Sequence, residues 1–590
     1  MPRTFVEKIF NAPAGSVVFH RPDLILSHDN SESIRRTFEQ MGGTKISDPD
    51  RLVIVLDHNA PPTSSILANQ YQSIRDFVDI QGIRKFHDSG EGICHQLMTG
   101  YVRPGMVVVG SDSHTCTAGA FNAMASGIDR TETAGLWLRG ETWFRVPGTL
   151  KITLSGKLKQ GVYAKDLSLW IIGMIGSAGA NYLSIEFHGK GVGTLSIADR
   201  MTLANLASEM GAKNAVFPPD KVLDEYMGEH MEGVWADKGA KYVHEITVDL
   251  GEVYPLVAAP HHVDNVMALA EVSGMDVDQG VIGTCTNGRI EDLREAAAML
   301  QGRKVKPGFQ LLIIPASREI YLQAIKEGII TTFLEAGANI LSSSCGPCLG
   351  TGQGIPADGQ RVISSANRNF LGRMGNRNAE IYLASPAAVA LSAVHGKIRD
   401  PRKTRGAESF PYNKVQAISM TIEGNEVRRE KGVWDYSDCD NLNTDQMFAG
   451  NLTYKIQSSD PDEIIPHLFE DFDPRFSGEV REGDIILGGE NFGCGSSREH
   501  PSVGLAHAGV KAVIVKSVNR IFFRSAINQG LPVIVHPDAV SGYHTGDVVD
   551  VDFKEGIVLI GKNRYPFEPL PGKLMQIIEM KGLVNWIRAQ

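Results

Sequence analysis

Residues 105–114, GMVVVGSDSH, form a strand-sized apolar run that ends in polar residues. Two more segments share this pattern, DRLVIVLDH at 50–58 and FQLLIIPAS at 309–317. Helical patterns follow the last two: TSSILANQYQSIRDFVDI (63–80) and SREIYLQAIKEGI (317–329) carry apolar residues at helical spacing. Continuous apolar strands that alternate with helices predict parallel strands covered on both faces. The predicted fold class is therefore α/β.

Polar side chains follow two of these predicted strands. Asp57 and His58 end one segment, and Asp112 and His114 end another. In parallel α/β sheets, binding sites gather at the carboxyl ends of the strands. We therefore expect these four side chains to line a functional site.

The length of the chain and a change in its composition near residue 400 predict separate domains. A chain of 590 residues is too long for one hydrophobic core. The stretch GKIRDPRKTRGAESFPYNK (396–414) is charged, contains Pro and Gly and lacks periodicity, as an exposed linker does. We predict an α/β part over 1–400, a linker over 401–414 and a smaller β-rich domain over 415–590. The predicted strands of the last domain are DIILGG (484–489), KAVIVKS (511–517), LPVIVHP (531–537) and GDVVDVDF (546–553).

Composition narrows the class of protein. Apolar residues make up 42% and charged residues 21%, as in soluble globular proteins. No apolar run reaches membrane-spanning length, and the first ten residues lack the apolar core of a secretory signal. We expect a cytoplasmic or organelle-matrix protein that is not secreted. A net charge of −10 gives no general basic surface for nucleic acid, so neither nucleic acid nor a membrane is an expected partner.

The seven cysteines include one close pair, Cys345 and Cys348, in SSSCGPCLG (342–350). Such a pair alone fits a disulfide, a redox couple or a zinc half-site. A four-cysteine zinc site needs a second close pair, which the sequence lacks. Cys285 lies in GTCTNGRIEDL (283–293), a predicted strand-to-helix turn, so it also lies at a strand end. These residues alone leave the role of the cysteines open.

Several motifs, taken together, resemble the aconitase superfamily, which includes aconitase, homoaconitase and 3-isopropylmalate dehydratase. The similarity covers nearly the whole chain: the first four hundred or so residues resemble the large subunit of the dehydratase, and 430–590 resemble its small subunit. It implies three α/β domains and a C-terminal swivel domain, with the two subunits fused. The motifs are GSDSHT (110–115), GTCTNGR (283–289), SSSCGPCLG (342–350), NRNFLGRMG (367–375) and GGENFGCGSSREH (488–500).

The resemblance implies one [4Fe–4S] cluster held by Cys285, Cys345 and Cys348. Iron–sulfur clusters normally take four thiolates. With three, one iron keeps an open site that can bind a substrate hydroxyl and carboxylate as a Lewis acid. The alternative is that Cys345 and Cys348 are ordinary loop cysteines. Cys494 is not expected to bind the cluster.

The resemblance also implies groups that move protons. A carboxylate that pairs with a histidine fixes its tautomer and raises its basicity. Each histidine could equally be a structural hydrogen-bonding group. The implied pairs are His95 with Asp112, His114 with Glu209, and His58 with Asp57.

Ser496 is the base that the resemblance implies for removal of the C–H proton. A serine oxyanion needs help from backbone N–H groups, a helix N-terminus and Arg498. However, Ser496 and Glu499 also form a capping-box pattern, so Ser496 could simply open a helix. Ser497 is a candidate substrate ligand.

Several further residues are implied to hold the substrate. Arginine suits carboxylates because its planar fork binds two oxygens at once. His28 stands where aconitase-type sequences carry a substrate-binding Gln. The implied substrate-binding residues are Arg368, Arg373, Arg498, Asn367 beside the cluster, and His28.

The identity of the substrate depends on the segment NLNTDQMFAGNLTYKIQ (441–457). Related enzymes carry Tyr-Leu-Arg there to select the substituent, whereas this segment has Lys455 as its sole cation. The apolar NLTY suits an alkyl group, and Lys455 suits a third carboxylate. We expect a hydro-lyase or isomerase that acts on a hydroxy di- or tricarboxylate, as a monomer or small homo-oligomer. Two hypotheses compete with this enzyme function: an RNA-binding iron sensor and a paralogue without catalytic activity.

Overall fold

The computed structural model describes residues 1–402, 429–453, 456, 460–495 and 498–590. Almost all of the predicted linker at 401–414, and the predicted domain start at 415, lie outside these residues. That boundary therefore stays a prediction. Among the described residues, no helix is both long and apolar enough to cross a lipid bilayer.

Residues 5–145 build a parallel sheet with helices on both faces. Its elements are α1 (Phe5–Ile9), β1 (Val17–His20), β2 (Leu24–Ser27), α2 (Ser31–Gln40), β3 (Leu52–Val55), α3 (Ser65–Gln81), β4 (Lys85–His87), α4 (Cys94–Leu97), β5 (Val107–Gly110), β6 (Met124–Gly127), α5 (Arg130–Arg139) and β7 (Thr142–Arg145). The strands pair in the order β4-β3-β2-β5-β6, all parallel, while β1 and β7 form an antiparallel pair. The apolar run LVIV of β3 is fully buried, as a strand covered on both faces requires. The strands predicted at 50–58 and 105–114 are confirmed.

Residues 149–249 add a second parallel sheet. Its elements are β8 (Thr149–Ser155), α6 (Ala164–Ile175), β9 (Ser184–His188), α7 (Ile197–Leu206), β10 (Asn214–Val216), α8 (Lys221–Met227) and β11 (His244–Asp249). The strands pair in the order β10-β9-β8-β11. Helix α7 packs against residues 113–121, a 3-10 helix that follows β5. This contact brings the end of α7 close to the polar end of β5.

Residues 256–395 form a third, mixed sheet. Its elements are β12 (Leu256–Ala258), β13 (Val266–Ala268), β14 (Gln279–Gly283), α9 (Thr284–Asn287), α10 (Ile290–Leu300), β15 (Gln310–Ile314), α11 (Arg318–Lys326), α12 (Ile329–Ala336), β16 (Asn339–Ile340), β17 (Arg361–Ser364), β18 (Glu380–Leu383) and α13 (Pro386–His395). The order is β13-β12-β18-β17-β14-β15-β16, parallel from β18 to β16. The strand predicted at 309–317 is confirmed as β15.

Residues 429–590, here called the C-terminal part, form a further mixed sheet and a small antiparallel one. The elements are β19 (Arg429–Glu430), β20 (Val433–Tyr436), α14 (Thr444–Met447), α15 (Pro461–Ile464), α16 (Phe476–Glu479), β21 (Ile485–Gly488), α17 (His500–His507), β22 (Ala512–Val515), α18 (Arg520–Asn528), β23 (Val533–Val535), α19 (Pro537–Ser541), β24 (Val549–Asp552), β25 (Ile557–Ile560), β26 (Asn563–Pro566), α20 (Gly572–Glu579) and α21 (Leu583–Arg588). Strands pair in the order β19-β20-β21-β22-β23, and β24-β25-β26 form the antiparallel sheet. All four strands predicted in this part are confirmed, and so is the α/β fold class.

The C-terminal part docks on the first sheet through α18 and α21, which pack against α5. Arg524 and Glu132 form an ion pair there, and each residue is 1% exposed on its side chain. The Arg524 guanidinium also lies 3.7 Å from the centroid of the Trp143 ring. Asn528 donates to Asp129 Oδ2 over 2.6 Å. The contact between the two parts therefore combines these buried polar groups with an apolar core that both parts share.

Candidate active site

The carboxyl edge of the sheet β4-β3-β2-β5-β6 carries a connected set of carboxylates and histidines. This edge is called the catalytic edge below. At the end of β3, Asp57 Oδ1 lies 2.7 Å from His58 Nδ1. After β5, Asp112 Oδ1 lies 2.7 Å from His95 Nε2, and Asp112 Oδ2 lies 3.6 Å from His58 Nε2. Asp112 thus bridges two histidines that come from different loops.

His114 joins this set to the second sheet. Its Nε2 lies 2.9 Å from Glu209 Oε1, and its backbone N–H donates to Asp112 Oδ1 over 2.8 Å. Although burial opposes ionisation, the charge of Arg368 and the hydrogen bond from His114 lower the pKa of Glu209 to about 2. Glu209 is therefore a fixed anion beside the histidine.

Asp29 anchors the loop after β3, a role that the sequence did not reveal. Its carboxylate accepts the backbone N–H groups of Asp57 (2.9 Å), His58 (3.0 Å) and Asn59 (2.7 Å). The Tyr71 hydroxyl donates to the same carboxylate over 2.5 Å. The only sequence signal was its position directly after His28 at a strand end.

His28 stacks on His58, with ring centroids 3.7 Å apart and planes at 14°. Burial and the neighbouring His58 hold the pKa of His28 well below its usual value. Burial acts in the same direction on His58, but Cys345, Asp57 and Asp112 outweigh it and raise the pKa of His58. The stacked pair therefore holds one neutral and one proton-donating ring.

The three predicted ligand cysteines are buried free thiols beside this edge. Cys285 follows β14 in a turn where Gly283 has φ 127° and Thr284 has φ 64°. A positive φ at a β-branched residue is strained, and such strain marks positions that are held for function. Cys345 is the N-cap of a 3-10 helix, Gly346–Leu349, that contains Cys348, and the Cys345 backbone N–H donates to Asp57 O over 3.1 Å.

Two asparagines hold the thiols. Asn205 Nδ2 lies 3.3 Å from Cys285 Sγ, and Asn367 Nδ2 lies 3.5 Å from the same sulfur. The Cys348 thiol donates to Asn367 Oδ1 over 3.6 Å, and the two amides are 3.3 Å apart. Asn367 therefore touches two of the three cysteines. Asn205, inside α7, was missed because nothing in a helical pattern marks it.

A buried lysine lies just behind the thiols. Lys165 is 0% exposed, and its Nζ donates to the carbonyls of Ser365 (3.1 Å) and Ala366. Burial lowers the pKa of Lys165 to about 7, although Cys348 and Cys285 act in the opposite direction. Lys165 thus fixes the backbone that leads into Asn367.

The three predicted arginines have different surroundings. Arg368 Nε donates to Glu209 Oε1 over 2.8 Å, and its Nη2 donates to Ser113 Oγ over 3.0 Å. Arg373 Nη2 lies 3.7 Å from Cys348 Sγ. The Nε and Nη1 atoms of Arg373 are buried and lack a hydrogen-bond partner among the described residues. Such donors are costly to bury unless a ligand supplies an acceptor.

Arg498 reaches the site from the C-terminal part. Its Nη2 lies 2.5 Å from Asp445 Oδ1, and its Nη1 donates to Phe448 O over 3.0 Å. Asp445, in the NTDQ sequence, was not predicted. Helix α17 begins at His500 with Glu499 at its N-cap, so the helix starts later than the capping-box pattern predicts. Ser496, Ser497 and Lys455 lie outside the described residues, so their roles stay predictions.

A cleft opens between the two parts of the chain. Both parts contribute polar side chains to its lining. Its lining includes Ser208, Glu209 and Arg368 from the first 402 residues, and Asn443, Cys494 and Gly495 from the C-terminal part.

Two groups of these side chains have ligand atoms within 4.8 Å of one another, close enough to hold a metal ion. Both groups are already joined by hydrogen bonds between their carboxylates and imidazoles or backbone. The groups are His28, Asp29, Asp57 and His58, and His95, Asp112 and His114.

Comparison with known proteins identifies the family of this chain. The model of the aconitase family (aconitate hydratase) matches residues 5–274 and 269–396, and that of the aconitase C-terminal domain matches 438–538. "3-Isopropylmalate dehydratase large subunit 1" of Methanopyrus kandleri is 45% identical over 415 residues, which cover 68% of this chain and 99% of that relative. "Probable methanogen homoaconitase large subunit" of Methanosarcina mazei is 46% identical over 388 residues, 65% of this chain and 98% of the relative.

Among solved structures, a 3-isopropylmalate dehydratase (leuD) of Methanocaldococcus jannaschii is 36% identical. It covers 27% of this chain and 91% of its own, with a TM-score of 0.24. The family models cover well over half of this chain, and the two curated relatives are matched over almost their full length. The chain therefore belongs to the aconitase family of hydro-lyases.

Proposed function

We propose that this enzyme dehydrates and rehydrates a hydroxy di- or tricarboxylate through an alkene, with a [4Fe–4S] cluster held by Cys285, Cys345 and Cys348. The observation that carries the proposal is three buried free thiols, from two segments of the chain, beside an arginine with two donors that lack a partner in the described part of the chain. The names of the curated relatives favour 3-isopropylmalate, or the substrate of a homoaconitase, as the first substrate to test.

The residues fit a cluster of this kind. Asn367 contacts the sulfurs of both Cys285 and Cys348, and the backbone N–H of Cys348 donates to Cys345 O over 3.1 Å, so the three cysteines are close neighbours. The thiolate is the ligand that iron–sulfur clusters take, and a set of three leaves one coordination position open. When bound, the cluster would supply that iron as a Lewis acid toward the substrate hydroxyl. Asn205 and Asn367 would hold two of the three ligand sulfurs in place.

The substrate head is an anion, and Arg373 is placed to bind it. Its Nε and Nη1 atoms are buried donors that lack a hydrogen-bond partner among the described residues, and a carboxylate would supply the acceptor that they lack. Arg368, held by Glu209, and Arg498, held by Asp445, would complete a clamp from the two sides of the cleft. A carboxylate held this way also gains stabilisation as negative charge develops during C–H cleavage.

The departing hydroxyl needs a proton, and the catalytic edge can supply it. His95, oriented by Asp112, and His58, oriented by Asp57, each present a ring whose carboxylate partner stabilises the charged form. Ser496 is proposed as the base for the C–H proton. Its chain neighbour Gly495 lines the cleft, which supports a role at this place.

We further propose that one chain carries what the dehydratase divides between two subunits. The curated relatives named as large subunits match about two thirds of this chain. The C-terminal family model lies wholly beyond that portion, at 438–538. The fused arrangement would keep Arg498 tethered to the thiol-bearing part of the site.

The test is an anaerobic assay of alkene formation by ultraviolet absorbance over citrate, homocitrate, 3-isopropylmalate and methyl-substituted malates. The purified protein should be brown and bind about four irons per chain. Cys285→Ser should abolish colour and activity. Cys439→Ser, a matched change of a cysteine in the C-terminal part, should leave both intact. A full cluster in Cys285→Ser would show that the ligand assignment is wrong.

A further inference from the structure

Lys213 is a buried lysine that the candidate active site does not use. Its side chain is 0% exposed, and its Nζ lacks a hydrogen-bond partner among the described residues. The residue directly precedes β10 in the second sheet, and its backbone N–H donates to Leu183 O over 2.7 Å. Lysine is almost never fully buried unless it is paired. The ammonium group of Lys213 therefore needs an acceptor that the described residues do not supply.

Lys213 lies where the second sheet meets the C-terminal part. Its Nζ lies 5.4 Å from the centroid of the Tyr182 ring. That ring also contacts Phe523 of α18 edge-to-face, with centroids 6.4 Å apart. The neighbouring Asn181 donates through Nδ2 to Val518 O over 2.6 Å, which joins the same loop to the C-terminal part. Lys213 and Tyr182 thus lie at a junction between two separate parts of the chain.

Three donors at this junction are buried without an acceptor in the described part of the chain. Arg524, the residue after Phe523, uses Nε and Nη2 on Glu132 and the Trp143 carbonyl, but its Nη1 has no such partner. The same is true of the Tyr182 hydroxyl and of Lys213 Nζ. All three atoms are shielded from solvent, and burying such donors is unfavourable. An acceptor placed among them would remove this cost.

The charges at the junction also do not balance. Arg524 and Glu132 neutralise each other as a buried ion pair, so the Lys213 ammonium adds one positive charge. The face of the Tyr182 ring attracts this cation but leaves its N–H groups without a lone pair to bind. Burial and the charge of Arg524 lower the pKa of Lys213, but a neutral amine would lack a hydrogen-bond partner as well. One negative charge would balance the ammonium and accept its hydrogen bond.

We propose that Lys213 Nζ, Arg524 Nη1 and the Tyr182 hydroxyl bind a small monovalent anion of the halide class, which joins the second sheet to the C-terminal part. Because all three donors are shielded from solvent, a small ion fits better than a phosphate or an organic carboxylate. The donors come from both parts of the chain, so the anion binds only when these parts are docked and stabilises that arrangement. This inference does not rest on the hydro-lyase function proposed above.

The first test uses bromide, because its anomalous X-ray scattering identifies its position. Crystals of the full chain grown in sodium bromide should show an anomalous peak within hydrogen-bond distance of Lys213 Nζ and Arg524 Nη1. A data set without a peak at these donors would overturn the proposal. This test needs no variant, so it does not depend on how a substitution affects folding.

The second test measures amide hydrogen exchange of α18 while bromide replaces methanesulfonate, a larger anion, at constant ionic strength. For a dissociation constant of about 10 mM, about 0.1 M bromide should slow exchange about tenfold. Lys213→Met should abolish this effect. Lys190→Met, the same change at an exposed position after β9, should keep it. In methanesulfonate, Lys213→Met should exchange no faster than the wild type, because methionine removes the uncompensated charge.

Other outcomes would refute the site. An equal bromide effect in the wild type and in Lys213→Met would show that the ion acts elsewhere. A bromide peak without slower exchange would mean an adventitious ion only. Faster exchange of Lys213→Met in methanesulfonate would mean that the protein itself satisfies the lysine. If Lys213→Met does not fold, Tyr182→Phe decides: loss of one donor should reduce the bromide effect to about threefold, and an unchanged effect would exclude the site.

Discussion

Replacing Arg524 with Met should loosen the contact between the C-terminal part and the first sheet. Arg524 Nε donates to Glu132 Oε2 over 3.0 Å, and Nη2 donates to Trp143 O over 2.7 Å. Met keeps much of the apolar stem but removes every one of these donors. Glu132 would then be a buried carboxylate without its cation, with Thr142 Oγ1 (2.5 Å) as a remaining donor.

The size of the expected loss in stability follows from the burial of both side chains of this ion pair. Breaking a buried ion pair by removing one partner costs about 3–5 kcal/mol, because the other charge is left uncompensated. Both side chains here are 1% exposed, so solvent screening does not reduce that figure. Removing both charges is different, since a neutral pair of similar shape is often no less stable. Glu132→Gln with Arg524→Met should therefore recover most of the loss.

A chain of several domains does not unfold in one step, so a single melting curve would not isolate this contact. Amide hydrogen exchange, read by mass spectrometry, reports the local opening free energy of each segment. In Arg524→Met, protection of α5 and α18 should fall by about 3 kcal/mol, while α10 in the third sheet should keep its protection. A loss below about 1 kcal/mol, or a double variant as weak as the single one, would refute the reasoning.

Two further predictions concern buried carboxyls. Burial, Glu499 and Glu132 raise the pKa of Asp129 well above its usual value. In the unfolded chain this carboxyl has a pKa of about 3.9, so above that pH it loses its proton in the unfolded chain but keeps it in the folded one. The free energy of unfolding therefore falls as pH rises above about 4. In urea unfolding, Asp129→Asn should make this free energy less dependent on pH in that range. An unchanged slope would contradict the prediction. Glu209 has the opposite sign: its pKa of about 2 means that its contribution is present above pH ~4 and is lost as pH falls toward 2. Glu209→Gln should remove the loss of stability at acid pH. It should also lower kcat by ~100-fold while the cluster colour stays intact. Full activity of this variant would exclude Glu209 from the site.

The sequence predicted elements better than it predicted contacts. Short apolar runs such as LVIV of β3 identify buried strands because both faces must be covered, and the polar residues after them mark the sheet edge. The partners of those residues come from elsewhere in the chain. Asn205 contacts Cys285 from inside α7, and Asp445 contacts Arg498 from α14, 53 residues away in the sequence. No local pattern records such distances, so these contacts required the three-dimensional structure.

The residues of the candidate site come from different sheets of the structure. This explains why charged side chains are also buried at the contact between the sheets, away from the site. The groups proposed to transfer protons lie at the edge of the first sheet, the thiols lie on the third sheet, and Arg498 lies in the C-terminal part. Apolar contacts alone would hold these bodies together in more than one register, since burial of apolar area is not directional. The Arg524–Glu132 pair and the Asn528–Asp129 bond are directional, and a mismatch leaves them unpaired at a cost of several kcal/mol. Their role is therefore to set the position of the C-terminal part, which carries Arg498, relative to the first sheet.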